Sequence, residues 1–162
     1  MSKETTLHFF SGKMAAGKST LAKQLAKRDN SILVVEDEWL EKLYPTEIKT
    51  ISDYIQYSSR LKVIIKKHLL SLLSNEVTVI MDFPANTTKQ REWFRDILNE
   101  SKVNHVLHFV NKSDTVCKKQ LTQRSQNKPK GSAFTTDEEF DSITKYFQPP
   151  LNEEGFNIKT YE

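Results

Sequence analysis

The sequence is poor in the residues that cross-link a chain or break regular structure. Its 162 residues include one cysteine, four glycines and five prolines. A lone cysteine, Cys117, excludes an internal disulfide bond and agrees with a reducing compartment. No apolar run approaches the roughly 20 residues of a membrane-spanning helix, and residues 1–6 lack the apolar core of a signal peptide. These absences predict a cytoplasmic protein that does not contact a membrane.

An excess of charge of one sign is also missing. The chain carries 24 Lys and Arg against 21 Asp and Glu, a formal net charge of +3. The basic residues are spread in pairs, without the dense stripe typical of nucleic-acid-binding proteins. With 37% apolar residues, a chain of this length can bury one core. We therefore expect a single domain over residues 1–162 and no nucleic-acid partner.

Two of the four glycines, Gly12 and Gly17, lie in one short stretch that fits the pattern G-x-x-x-x-G-K-[ST]. This is the phosphate-binding loop, or P-loop, when it connects a strand to a helix. A buried strand is predicted at residues 7–10 and an amphipathic helix after residue 20. The predicted nucleotide-binding residues are Gly12, Lys13, Met14, Ala15, Ala16, Gly17, Lys18, Ser19 and Thr20.

The spacing of this loop has a physical reason. Glycine lets the backbone curl so that successive N–H groups point inward at an anion. The partial positive charge of the following helix N-terminus adds to the attraction. Lys18 can reach the β- and γ-phosphates, and the Ser19 hydroxyl can ligate Mg²⁺. The loop therefore predicts ATP and Mg²⁺ as cofactors.

The rest of the chain alternates between apolar strands and amphipathic helices. Further strands are predicted at 32–35, 77–82, 106–110 and 156–161, with helices between them. The alternation indicates an α/β protein with a parallel sheet that has helices on both faces. In such sheets the ligand binds at the carboxyl ends of the strands.

Acidic residues follow two of the predicted strands. Asp82 ends the third strand, where P-loop proteins carry an acid near Mg²⁺, so we predict a metal role, direct or through water. Asp37 follows the second strand and is the candidate base that accepts a proton from a substrate hydroxyl. Glu36 and Glu38 are rivals for that position.

A basic stretch is the candidate lid of the site. Residues 124–135 contain almost no apolar side chain, and Arg124 would add positive charge over the transferring phosphate. Lys128 and Lys130 stand where kinases often use further arginines, although lysine lacks the planar bidentate contact of arginine. Arg91 is predicted to point to the same rim, where it could hold substrate or phosphate; the alternative is an arginine on the surface. The four histidines show no metal spacing and are treated as structural.

The chain resembles the P-loop kinase-like ATP-binding proteins, a bacterial family usually labelled AAA-type ATPase. The family is related to small-molecule kinases such as chloramphenicol phosphotransferase and, more distantly, to zeta toxins. The similarity covers nearly the whole chain and is carried by these residues: 12–20, 36–40, 82–87, Gln90, Arg91, Trp93, Phe94, 105–108, Cys117, Leu121, Arg124, Phe140, Ile143, 146–147, 149–150 and 154–157.

This resemblance implies a compact P-loop NTPase fold of three layers with five parallel strands in the order 2-3-1-4-5. It also implies the use of ATP and Mg²⁺ and a base after the second strand, which maps to Asp37. It supplies no acceptor. The chain is too short for an oligomeric AAA+ motor.

Three functions compete at this point. The first is a kinase that transfers the γ-phosphate of ATP to a hydroxyl of a small molecule. The second is a nucleotide-dependent switch that hydrolyses ATP slowly and acts on a partner protein, and the third is a toxin-type kinase of nucleotide sugars. Residues 111–114 match the guanine-reading pattern Asn-Lys-x-Asp, but no Asp-x-x-Gly follows the third strand. We therefore favour ATP, with Ser113 or Asp114 capping the next helix.

Overall fold

A computed structural model describes residues 4–162, so the expectation about a signal peptide falls partly outside the described residues. Strands and helices alternate as predicted. The strands are β1 (Thr6–Ser11), β2 (Ser31–Val35), β3 (Thr78–Pro84), β4 (Asn104–Val110) and β5 (Ile158–Tyr161). The helices are α1 (Lys18–Leu25), α2 (Glu36–Leu43), α3 (Ile51–Ser74), α4 (Thr88–Ser101), α5 (Asp114–Ser125) and α6 (Asp137–Thr144), and a 3₁₀ turn covers Asn152–Glu154.

The five strands form one parallel sheet in the order β2-β3-β1-β4-β5. The predicted fold class and strand order are therefore confirmed. β1 lies in the centre, where Phe9 is opposite Met81 of β3 and Leu107 of β4. The register with β3 then shifts, because the next residue, Phe10, is opposite Pro84. This irregularity lengthens β3 locally and takes Asp82 and Phe83 out of one-to-one pairing with β1.

Alternate residues of β1 are buried against different helices, as expected for a sheet covered on both faces. Leu7 and Phe9 belong to the larger core, to which α3 and α4 contribute Leu61, Ile65, Phe94 and Ile97. Phe10 faces the other side and packs with Ala22 of α1. A third cluster joins Ala16 of the P-loop to α5 and α6 through Cys117, Leu121 and Phe140. Apolar side chains of α5 and α6 thus pack against Ala16 of the P-loop.

Hydroxyl side chains begin four of the helices. Thr50, Thr87, Ser113 and Thr136 each accept a hydrogen bond from a backbone N–H of the first turn. Thr136 and Glu139 form a reciprocal capping box, as the pattern Thr-x-x-Glu indicates. Such caps satisfy amide groups that have no partner within the helix. They explain where these helices begin.

The predicted boundaries of the third strand and of the lid are wrong. The acids at 36–38, which follow β2 as predicted, form the first turn of α2, where negative side chains stabilise a helix N-terminus. Phe83 and Pro84 extend β3 instead of starting a loop. Arg124 lies in the last turn of α5, so the irregular part of the candidate lid begins only after this helix. Within residues 4–162, no helix is long and apolar enough to cross a membrane.

A pair of buried histidines joins the centre of the sheet to its edge. His8 Nδ1 lies 2.9 Å from His108 Nε2, and His108 Nδ1 lies 2.8 Å from the Tyr161 hydroxyl. Burial lowers the pKa of His8 to about 4 and that of His108 to about 3, helped by the charge of Arg28 near both rings. Both rings are therefore neutral parts of the core.

We expect the protein to lose stability as the pH falls below about 6.5. The unfolded chain binds protons at the ordinary histidine pKa, whereas the folded pair stays neutral until about pH 4. Each histidine therefore costs at most about 2 kcal/mol of unfolding free energy by pH 5. Urea titrations should show a flatter pH dependence for a His8→Leu/His108→Leu double variant. Imidazole NMR signals of His8 and His108 that titrate near pH 6.5 in the wild type would contradict the assignment.

Candidate nucleotide site

The P-loop leaves β1 under tight steric control. A Cβ at Gly12 would lie 2.8 Å from the Val110 carbonyl oxygen at the end of β4, so only glycine fits. The Gly12 N–H donates to Asn86 Oδ1 at 2.8 Å. Ala15 and Gly17 adopt left-handed backbone conformations, with φ of 63° and 110°. The loop is therefore curled, and it is attached to the segment after β3.

Lys18 is folded back into the loop that it follows. Its ammonium group donates to the backbone oxygens of Gly12 and Lys13, the latter at 2.9 Å. Burial lowers its pKa to about 8, against the opposing effect of the Asp82 carboxylate. The Lys18 ammonium group is therefore hydrogen-bonded to two backbone carbonyl oxygens, although phosphate oxygens are its expected partners.

The predicted metal residues lie together. Ser19 Oγ donates to Asp82 Oδ2 at 2.8 Å, across 63 positions of sequence. Burial raises the pKa of Asp82, an effect that the Ser19 hydrogen bond opposes. In the described chain, no three His, Cys, Asp or Glu side chains form a metal cluster. One hydroxyl and one carboxylate suit Mg²⁺, which keeps several waters and takes its remaining ligands from phosphates.

The three acids after β2 have different environments. Glu36 is 1% exposed, and its two carboxylate oxygens accept hydrogen bonds from the hydroxyls of Tyr54 and Ser58. Asp37 and Glu38 are exposed. Val35, two residues earlier, is opposite Asp82 in the sheet, so Asp37 lies at the same edge as the P-loop, where its charge raises the pKa of Lys18 and of Asp82. Glu36 is thus occupied within the fold, whereas Asp37 is available to a ligand.

The two ends of α5 contribute residues of opposite charge, with Asp114 in the first turn and Arg124 in the last turn. Arg124 is exposed, and its positive charge is close enough to lower the pKa of Lys18. Asp114 makes an ion pair with Lys13 of the P-loop at 2.7 Å. Ser113 caps the helix. The match to the Asn-Lys-x-Asp pattern is therefore explained by the cap of α5 at Ser113 and by the ion pair of Asp114 with the P-loop.

The predicted substrate role of Arg91 does not fit its surroundings. Its side chain is 1% exposed and makes an ion pair with Glu154 at 2.7 Å. Its other nitrogens donate to the carbonyl oxygens of Ala85, at 2.9 Å, and Pro149. The guanidinium group is therefore fully engaged in joining α4 to the C-terminal segment. The helix N-terminus is exposed at the rim, but Arg91 points inward from it.

Sequence reasoning missed Asn86 as part of the site. Besides binding the Gly12 amide, its backbone N–H donates to Gln90 Oε1 and its carbonyl accepts from the Gln148 N–H, both at 2.8 Å. Asn86 thus links the P-loop to α4 and to the segment after α6. Asn86 and Gln90 stood in the blocks that carried the family resemblance, but nothing in their spacing indicated these contacts.

This fold and loop define a P-loop protein of the kinase-like type. The chain belongs to the family whose model is described as AAA domain, which matches residues 7–150. No curated protein is detectably similar in sequence.

Several solved structures share the fold at low sequence identity. Shikimate kinase from Acinetobacter baumannii, in complex with shikimate, has a TM-score of 0.63 and 16% identity, over 99% of this chain and 84% of that one. APS kinase from Mycobacterium tuberculosis, in complex with AMPPNP and APS, has a TM-score of 0.60 and 18% identity, over 98% and 90%. Chaetomium thermophilum Kti12, in complex with ADP-AlF3, has a TM-score of 0.67 and 10% identity, over 96% and 89%.

Replacing Arg91 should reduce stability. We expect Arg91→Ala to lower the free energy of unfolding by about 3–5 kcal/mol, because Glu154 loses its partner and a buried cavity remains. Urea denaturation measures this loss, and the Glu92→Ala variant, at an exposed position of the same helix, should stay within about 0.5 kcal/mol of the wild type. A variant that kept its stability but lost affinity for a substrate would restore the original prediction.

Proposed function

We propose that this protein binds ATP with Mg²⁺ and transfers the γ-phosphoryl group to a hydroxyl of a small molecule. The observation that carries the proposal is the 2.8 Å contact of Ser19 with Asp82 beside Lys18. An exposed carboxylate, Asp37, lies close enough to influence both Lys18 and Asp82. The kinase-like fold and family membership support this proposal.

Each part of the loop has a role in holding the nucleotide. The N–H groups of Gly12 and Ala16 are bonded within the fold, so the other N–H groups of the loop and the N-terminus of α1 bind the phosphates. Lys18 exchanges its two carbonyl partners for β- and γ-phosphate oxygens, a stronger charge-assisted contact. Ser19 and Asp82 would hold Mg²⁺, directly or through water, and the ion would supply positive charge that neutralises the developing phosphate charge.

The transfer step needs a base for the acceptor hydroxyl and a positive charge near the transferring phosphoryl group. The acceptor oxygen attacks the γ-phosphorus, the bond to the β–γ bridging oxygen breaks, and ADP leaves. Asp37 accepts the proton of the attacking hydroxyl. Arg124 stabilises the charge on the transferring group, and residues 124–135 close over the site to exclude water.

We expect ATP with Mg²⁺ to raise the melting temperature of the wild type but not that of Lys18→Ala, because a ligand that binds only the folded state stabilises it. A thermal-shift titration with ATP and GTP measures this effect. Lys27→Ala, an exposed lysine just after α1, is the matched control and should respond like the wild type. A preference for GTP would favour the switch, and no shift with either nucleotide would contradict the proposed function.

We expect Asp37→Asn to reduce phosphoryl transfer by about 10²–10⁴-fold while ATP affinity stays within about twofold, since the base acts only on the acceptor. Transfer is followed with γ-labelled ATP and a panel of hydroxylated acceptors. Glu38→Gln tests the rival acid and Glu41→Gln the loss of a surface charge on the same helix. A nucleotide-dependent switch would hydrolyse ATP equally well with Asn at position 37.

A further inference from the structure

One face of α3 lies against the base side of the site. Tyr54, Ser58 and Lys62 are spaced four residues apart, so their side chains follow one another along the helix. Tyr54 and Ser58 both donate to Glu36, the first residue of α2. This face of α3 is therefore attached to the first turn of α2, which also carries the proposed base, Asp37.

Lys62 is a half-buried cation on this face. Its ammonium group lies 5.5 Å from the centre of the Trp93 ring of α4. Within residues 4–162 it makes no hydrogen bond or ion pair, and the oxygens of nearby Glu36 are already bound by two hydroxyls. One turn along the helix, Lys66 is paired with Glu100 at 3.0 Å. Lys62 is thus partly desolvated without the partner that its neighbour has.

A second cation approaches from α4. Lys89 lies in the first turn of that helix, four residues before Trp93, so it is on the helix face over which Lys62 lies. Burial and this like charge lower the pKa of Lys62, while Glu36 opposes the shift. Two lysines on different helices, together with a helix N-terminus, make a region of positive potential. An anion bound there would compensate for the unfavourable desolvation of the Lys62 ammonium group.

We infer that Lys62 and Lys89 bind an anionic group of the acceptor. The acceptor class is therefore a small hydroxylated molecule that carries a carboxylate or a phosphate. This inference rests on the proposed function and names the substrate class of the same site.

The arrangement fixes the acceptor at two points. The anion binds between α3 and α4, and the hydroxyl is directed to Asp37 and the γ-phosphate. Holding both groups limits the orientations of the acceptor, which is a major part of catalysis by positioning.

Trp93 provides a readout that needs no turnover. The chain has two tryptophans, so a Trp39→Phe variant leaves Trp93 as the one indole reporter, directly beside Lys62. We would titrate this variant with D-gluconate and glycerol 3-phosphate, and with D-glucose and glycerol as uncharged counterparts. ADP with Mg²⁺ is added in a parallel series to fill the P-loop, which otherwise attracts the phosphate probe.

At least one of the anions should change Trp93 fluorescence saturably, and the uncharged molecules should not. Lys62→Met, which keeps the aliphatic stem on Trp93, should weaken this binding by about 10–100-fold, the usual loss for a charge-assisted contact. Lys67→Met removes an exposed charge from the same helix and should leave binding unchanged. Melting temperatures of both variants establish that they fold.

Three results would overturn the inference: binding that is equal in Lys62→Met, equal responses to charged and uncharged probes, or no response to either anion. A carboxylate response without a phosphate response, or the reverse, identifies which anion the acceptor carries. Failure of ADP to raise the melting temperature would count against the proposed function alone, because the fluorescence titration without nucleotide still tests the anion site.

Discussion

Parallel pairing of β1 with β3 on one side and β4 on the other is the constraint on which the site depends. It brings the carboxyl ends of these strands to one edge, where the P-loop leaves β1. The register shift at Phe9 and Phe10 gives β3 extra length at this edge. Irregularities of this kind redirect side chains near functional sites. Here the shift lies at Asp82 and Phe83, and Asn86, shortly after it in the chain, accepts a hydrogen bond from the Gly12 amide.

Charges of both signs lie at this edge, but four of them, on Lys18, Asp37, Asp82 and Arg124, make no ion pair with one another. Lys18 bonds to backbone oxygens, and Asp82 to the Ser19 hydroxyl. Asp37 and Arg124 influence the pKa of Lys18 from opposite directions. The ionic groups therefore keep their capacity for phosphate, metal and substrate. By contrast, the ion pair of Arg91 with Glu154 is buried and serves the attachment of the C-terminal segment.

The elements with strong local signals could be predicted from sequence. The P-loop pattern, the apolar strands and the capping box at Thr136 each depend on residues within a few positions of one another. The environments of Arg91, Asn86 and Glu36 could not be predicted, because each has a decisive partner far along the chain: Glu154, Gly12 and Tyr54, at separations of 63, 74 and 18 residues. An arginine early in a helix at the ligand-binding edge looks like a substrate contact until the fold shows its partner. Likewise, only the packing of α3 on α2 distinguishes buried Glu36 from exposed Asp37.

The position of Lys18 couples ligand binding to proton uptake. With a pKa of about 8 in the folded chain, a fraction of the molecules lacks the ammonium proton under mildly alkaline conditions. A bound triphosphate favours the charged form, so this fraction takes a proton from the buffer as the complex forms. The heat of binding then depends on the ionisation enthalpy of the buffer, and the apparent affinity declines above about pH 8. The burial that lowers the pKa of this lysine in the free protein therefore makes its affinity for a phosphate ligand sensitive to alkali.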